Sequence, residues 1–312
     1  MMPEHGPSIP DALAVLKHPD QQQRLAMLQD ILEGWPISTA LQLVEQGLQS
    51  PHIRPRATSA RLVGLLWVRY RSDDLRLCAP LLAMLVCDAH QPGRVRKSAA
   101  WSLGWIGSHD AVEALTTLGD HTNPMYRRTA MEASGRIGGL RAATFLVGGL
   151  HDPAWQVRMD AAIGLGGLCD SAITPSVGEA FERALQAENH PRTLEQMLRS
   201  LPELVSTGAL TPERAAALLG DRLGPAYPTP VRCASARGLG ELGSTYPGAA
   251  LARELLQSAS VRPPASIREQ ARWALAHLAS HRHEATALSP HTNHCPPPTS
   301  GSTWTNEAPS DG

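Results

Sequence analysis

Aromatic residues make up only 4 % of this 312-residue chain: seven Trp, four Tyr and two Phe. A core must therefore be packed from Ala, Leu and Val, which disfavours ring-rich β-sandwiches and barrels. Lysine is nearly missing as well. Lys17 and Lys97 stand alone among 28 basic residues, and the rest are arginine, whose forked donors make fixed hydrogen bonds. Neither sign of charge is in excess, with 28 basic against 29 acidic residues, which argues against a chain built to coat nucleic acid or an anionic membrane. The cysteines, Cys78, Cys87, Cys169, Cys233 and Cys295, form no C-x-x-C and read as reduced thiols in a cytoplasm. No long apolar run occurs. The most apolar stretch, Leu75 to Cys87, is broken by Arg76 and Pro80, and the first ten residues lack the basic start and apolar stretch of a secretory leader. The expectation is a cytoplasmic chain with neither leader nor membrane span.

What is present is a repeat. VRKSAAWSLGWIG (Val95 to Gly107), YRRTAMEASGRIG (Tyr126 to Gly138) and VRMDAAIGLGGLC (Val157 to Cys169) follow one another at intervals of 31 residues. VRCASARGLGELG (Val231 to Gly243) and IREQARWALAHLA (Ile267 to Ala279) are further copies, 36 residues apart. A degenerate copy runs from Thr193 to Val205, a weaker one from Pro55 to Trp67, and Gln23 to Leu32 resembles an eighth. Numbering each copy from offset 0, small or apolar residues recur at offsets 0, 4, 8 and 11, as in Val157, Ala161, Leu165 and Leu168, which is one stripe of an α-helix. A second apolar-periodic segment precedes each copy, with a proline-bearing turn between them, so the predicted unit is helix, turn, helix.

Two positions in the unit need explanation. Offset 9 is glycine in five copies, Gly64, Gly104, Gly135, Gly166 and Gly240, although glycine weakens a helix by up to about 1 kcal/mol relative to alanine. Its recurrence in one register predicts that another backbone packs there. Offset 1 is arginine in Arg56, Arg96, Arg127, Arg158, Arg232 and Arg268, a cation in a first turn that the helix dipole does not favour. Each of these arginines should have a partner, and Asp120 and Asp152, at the ends of preceding helices, are the candidates for a ladder linking repeat to repeat.

The pattern D-x-x-P-x-V-R-x-x-A-A-x-x-L-G-x-I-G carried by these copies resembles the HEAT-like repeats of the family named after phycobilisome lyases, over roughly residues 10 to 280. The resemblance implies an all-α, right-handed α-solenoid of about seven to eight helix pairs whose second helices line a concave face. It is shared by chromophore lyase subunits, phycobilisome degradation factors, deoxyhypusine hydroxylase, alkylpurine glycosylases and scaffolds without chemistry. It therefore implies three functional readings: a protein-binding scaffold, a lyase-like subunit cradling a tetrapyrrole, or a metal-dependent oxidoreductase. The hydroxylase branch holds its iron with several His-Glu pairs; this chain has one such pair, His283-Glu284. Residues 1–9 are expected to be flexible. Residues 281–312, rich in Pro, Ser, Thr and Asn without apolar period, are expected to be disordered.

Signals for chemistry are sparse. Gly238, Gly240 and Gly243 spell G-x-G-x-x-G, but they fall late in a repeat helix rather than between a strand and a helix start, so the motif reads as packing. His281, His283, His291, His294 and Cys295 offer soft donors without a scaffold to orient them, so no metal site is assigned. No G-x-S-x-G elbow occurs, and Cys78, Cys87 and Cys169 read as small core residues. No catalytic residue and no cofactor is therefore expected.

Offsets 2, 6 and 10 leave the apolar stripe. There Trp101 and Trp105 stand four apart on one helix face, with Arg128, Glu132 and Arg136 at matching places in the next copy. Residues 53 to 141 carry 13 basic and 7 acidic side chains, a surplus that coincides with these tryptophans. Two readings result: both tryptophans pack under a neighbouring helix or the amino-terminal repeats as core, or the groove binds another protein, possessing an acidic segment, through Trp101, Trp105 and Arg136, with Arg128 and Trp155 at the margin. The near absence of lysine makes nucleic acid the weaker partner, and oligomeric state is left open.

Overall fold

The computed structural model describes residues 8–107, 111–168, 175–246, 250–261 and 265–284, with side chains as far as 276. Among them the regular structure is α-helical apart from one 3-10 turn at Asp73–Cys78, and the α-helices form eight pairs. The first helices of the pairs are α1 (Ile9–Lys17), α3 (Ile37–Leu48), α5 (Ala79–Cys87), α7 (Ala111–Gly119), α9 (Gly139–Gly149), α11 (Pro175–Ala187), α13 (Pro212–Asp221) and α15 (Ala250–Ala259). The second helices are α2 (Gln21–Gly34), α4 (Ile53–Tyr70), α6 (Gly93–Ile106), α8 (Pro124–Ile137), α10 (Trp155–Gly166), α12 (Pro191–Ser206), α14 (Thr229–Thr245) and α16 (Ala265–Glu284). Pro124 and Pro191 open α8 and α12, where a missing N–H costs nothing, and Pro92 precedes α6.

The chain is an all-α solenoid. From α4 onward each even-numbered helix packs on the next even-numbered one, while most odd-numbered helices form a looser outer layer. Between the layers lie buried Ala, Leu and Val, such as Leu103, Leu115, Ala133, Leu146, Val157 and Leu165. Each repeat touches chiefly its neighbours, which makes the core quasi-one-dimensional.

The offset-9 glycines set the spacing of the even layer. A Cβ on Gly135 would stand 2.7 Å from Gly164 Cα, one on Gly104 2.8 Å from Ala133 Cα, and one on Gly240 2.7 Å from Ala274 Cβ. The facing residue is always at offset 7 of the next copy and always small; Ser102 and Ser200 fill the same place opposite Gly64 and Gly166. Ser200 Oγ also donates to the Ala162 carbonyl at 3.1 Å, and Ser102 Oγ to that of Ala60. Helices drawn together on one layer only must curve toward it, so the even layer is the inner face. The G-x-G-x-x-G belongs to the same packing: Gly238 and Gly240 are buried inside α14.

The first-turn arginines clamp the turns. Arg24, Arg56, Arg127 and Arg158 each donate from Nη1 to the carbonyl six residues earlier, those of His18, Ser50, His121 and Asp152, at 2.6 to 2.9 Å. Three of them also reach the carbonyl five residues earlier. These oxygens lie just past the negative end of the preceding helix, so the cation disfavoured by its own helix is stabilised by the one before it. Two arginines reach forward as well. Arg127 forks onto Asp152 at 2.6 and 2.8 Å, and Arg158 onto Glu188 at 2.6 and 2.9 Å. Arg96 and Arg232 are buried and donate to the carbonyls of Val86 and Leu223.

Asp120 does not join this ladder. It is exposed, makes no ion pair among the described residues, and stands one residue before His121, the position equivalent to Asp152. His121 instead stacks on Tyr126 at 3.9 Å. The Arg268 side chain makes no hydrogen bond or ion pair among the described residues. Cys78 is buried but Cys87, the last residue of α5, is exposed, which corrects its assignment to the core; Cys169, Cys295 and the tail from 285 lie outside the described residues.

Two stability predictions follow from this packing. Gly135→Ala should lower stability by about 1–3 kcal/mol because its methyl would collide with backbone, whereas Gly148→Ala, inside α9 with nothing within 4 Å of a Cβ, should raise it by up to about 1 kcal/mol. Thermal melting monitored by circular dichroism checks the opposite signs. Burial raises the Glu188 carboxyl's pKa, but the Arg158 fork and the N–H groups of His190 and Asn189 more than offset it and hold it below the ordinary glutamate value. A carboxylate with a depressed folded pKa stabilises above its unfolded value and loses that contribution as pH falls through the folded one. Glu188→Gln should therefore cost about 1–3 kcal/mol near neutral pH, with the cost shrinking in denaturant titrations below the carboxylate range.

Candidate binding groove on the inner face

The even layer carries a groove of about 460 Å³ spanning α2, α4, α6, α8 and α10. Its cations are Arg24, Arg54, Arg61, Arg94, Lys97 and Arg128, against two acids, Glu132 and Asp160. Leu25, Leu28, Trp101 and Met125 supply apolar surface, with Leu25 48 % and Met125 42 % exposed.

Trp101 is the central side chain. One side of its indole lies against α4, where a Cβ on Gly64 would stand 2.5 Å from the ring, and the Arg61 guanidinium lies 3.7 Å from the ring centroid. Trp105, one turn on, meets Trp101 edge-on at 5.7 Å and carries Arg136 at 4.8 Å. Both tryptophans are half-buried: each packs on one side and is held in place by a cation on another. Arg136 also pairs with Glu132 one turn earlier at 2.5 Å. Among the described residues the buried Trp105 Nε1 and Arg136 Nη1 donors have no acceptor, an unusual cost for a folded chain.

The groove's charges are not equally available. Arg24 spends its guanidinium on turn carbonyls, and Arg128 pairs with Asp160 at 2.7 Å. Burial pushes the Asp160 carboxyl above its ordinary value, Glu132 adds to this, and Arg128 opposes it. Arg54, Arg94 and Lys97 make no ion pair among the described residues, and Arg54 and Arg94 are exposed in the first turns of α4 and α6.

Of the candidates read from the sequence, the structure brings Trp101, Trp105, Arg128 and Arg136 onto neighbouring inner helices. It does not bring Trp155 to them. That ring stacks on His190 at 4.1 Å beside the α10–α12 junction, with its carbonyl accepting from Thr193 Oγ1. Arg61, Arg54 and Arg94 escaped the sequence reading. Arg61 occupies offset 6, the same register as Trp101, in the weak Pro55 copy, and Arg54 and Arg94 stand one residue ahead of their copies' first stripe residue.

Burial pushes the Cys78 thiol up to about 11, with Glu45 adding to the shift, and the Cys233 thiol is raised chiefly by burial too. Among the described residues no group of three His, Cys, Asp or Glu is placed to hold a metal ion, and no helix is long and apolar enough to cross a membrane. His281, His283 and Glu284 fall where α16 ends and their side chains lie outside the described residues.

A family model for HEAT repeats matches residues 39–127 and again 78–166, the span from α3 to α10 that contains most of the groove. The X-ray structure of YibA from Escherichia coli superposes with a TM-score of 0.58 at 17 % identity, over 86 % of this chain and 92 % of that one, which shows the fold alone. The CpcE–CpcF complex of phycocyanin lyase from Nostoc sp. PCC7120 gives 0.43 at 19 % identity, over 90 % and 98 %. Human deoxyhypusine hydroxylase gives 0.36 at 19 % identity, over 87 % and 96 %. No curated protein matches the sequence.

Proposed function

We propose that this chain, whose residues 39–166 match HEAT repeats, is a non-catalytic cytoplasmic scaffold that captures another protein in its inner groove. The observation that carries the reading is the pair Trp101 and Trp105, half-buried and clasped by Arg61 and Arg136. Rigid aromatic rings that are already packed on one side lose little conformational freedom on binding, and tryptophan and arginine are the residues that dominate interface energetics. The repeat architecture supports the same use, since stacked helix pairs present an extended, curved surface rather than a closed cavity. Trp155, set apart beside His190, serves as a peripheral contact in this reading.

Capture of cellular proteins by the full chain, compared between wild type and the Trp101→Ala/Trp105→Ala variant by quantitative mass spectrometry, tests the proposal. The expected result is loss of the specific partner by about tenfold or more. Because Trp101 packs on Gly64, Arg61→Glu is measured alongside: it should reduce the same capture while costing no more than the roughly 1–2 kcal/mol of stability that a cation–π contact supplies. Unaltered capture by both variants overturns the reading. A spectral shift on mixing with a bilin, with capture unaffected, would turn it toward a lyase-like chromophore carrier.

A further inference from the structure

We propose that the groove's occupant is an extended acidic peptide of the partner, with carboxylates three residues apart and a bulky apolar residue seated against Trp101. This rests on the protein-capture reading and specifies its ligand. Six cations face two acids within the groove, a local surplus of four on a chain whose overall net charge is −1. Arg54, Arg94 and Lys97 are the members without an ion pair among the described residues. The groove's charge is thus concentrated at the first turns of α4 and α6, where the helix dipoles add positive potential. The hydroxyls of Thr58 and Ser98 lie one turn further along the same two helices and also line the groove.

The spacing follows from the repeat. Arg54 and Arg94 occupy the same register of adjacent stacked helices, so their separation is that of the helix axes, about 8–10 Å for close-packed helices. A peptide in the polyproline II conformation advances about 3.1 Å per residue and returns its side chains to one face every third residue, so about three residues span that distance with both carboxylates on the same side. Carboxylates at i and i+3 therefore meet successive repeats from one face of the peptide, whereas adjacent acids, or acids two apart, turn to different faces and are matched less well. Trp101 lies between the charged rim and Trp105, and Leu25 and Leu28 of α2 extend its apolar surface. A nucleic-acid backbone fits less well, because it carries a phosphate at every step, including beside Glu132 and Asp160, where a peptide can instead set its apolar residue.

The test uses the full chain and three fluorescein-labelled peptides of one composition, Leu and four Glu in a Gly/Ser background, with glutamates one, two or three apart. Fluorescence anisotropy should show the three-apart peptide binding at least about threefold tighter than the others, with affinity falling as salt rises. Arg54→Glu/Arg94→Glu should weaken it about tenfold, and glutamate in a first helical turn is compatible with the fold. Equal affinity for all spacings, no binding, or binding unchanged in the double variant overturns the proposal. So does tighter binding of a single-stranded oligonucleotide through the same arginines, which would make the ligand nucleic acid. A large gain in peptide affinity on deleting residues 285–312 overturns it too, by making the chain's own tail the occupant. If the peptides fail while Trp101→Ala/Trp105→Ala still abolishes capture, the acidic ligand is wrong and the protein-binding groove stands; if both fail, both fall.

Discussion

The structure depends on one steric condition: the second helix of each repeat must come close enough to the next for backbone to touch backbone. Glycine at offset 9 facing glycine, alanine or serine at offset 7 meets it, as at Gly135 and Gly164 or Gly104 and Ala133. Each such glycine gives up helix propensity worth up to about 1 kcal/mol. What is gained is a short inner layer, curvature toward it, and a concave surface on which offsets 2, 6 and 10 of successive helices become neighbours. Trp101 reaches the groove because Gly64 leaves room for its ring against α4.

The arginine clamps complete that geometry. A guanidinium in the first turn of a helix satisfies carbonyls left over at the end of the one before and so fixes the turn that joins them. Where an acid stands at the matching place of the next repeat, as with Asp152 and Glu188, the same arginine also ties repeat to repeat. The consequence for binding is a division of labour. Clamp arginines and those paired to Glu132 or Asp160 have acceptors within the chain, while Arg54, Arg94 and Lys97 make no ion pair among the described residues and, in the proposed reading, serve a ligand.

Most of the fold was legible in the sequence because its signal is local and repeated. The apolar stripe, the offset-9 glycine and the proline turns recur in enough copies to mark helix pairs and a close approach between them. The site was legible only in part. Trp101, Trp105 and Arg136 could be read from helix-face spacing alone. Arg61 could not, since it is a lone arginine at offset 6 of a weaker copy that begins with proline and has no tryptophan beside it in sequence, and Arg54 and Arg94 precede the stripe by which copies were aligned. Trp155 shows the reverse: proximity in sequence to a basic segment did not place it in the groove, because its position at the start of α10 sets it against His190. Glu188 was hidden for a similar reason, since it heads the degenerate copy that lacks the arginine at offset 1, so only the forward reach of Arg158 identifies it.

The account treats the inner face as a surface of contact, formed by close stacking and used through its tryptophans and unpaired cations. Hydrogen–deuterium exchange of the full chain with and without its captured partner tests this most directly. Slowed exchange concentrated in α4, α6 and α8, with the outer helices unchanged, is the predicted result. Protection confined to the odd-numbered helices, or to α13 through α16, would contradict it.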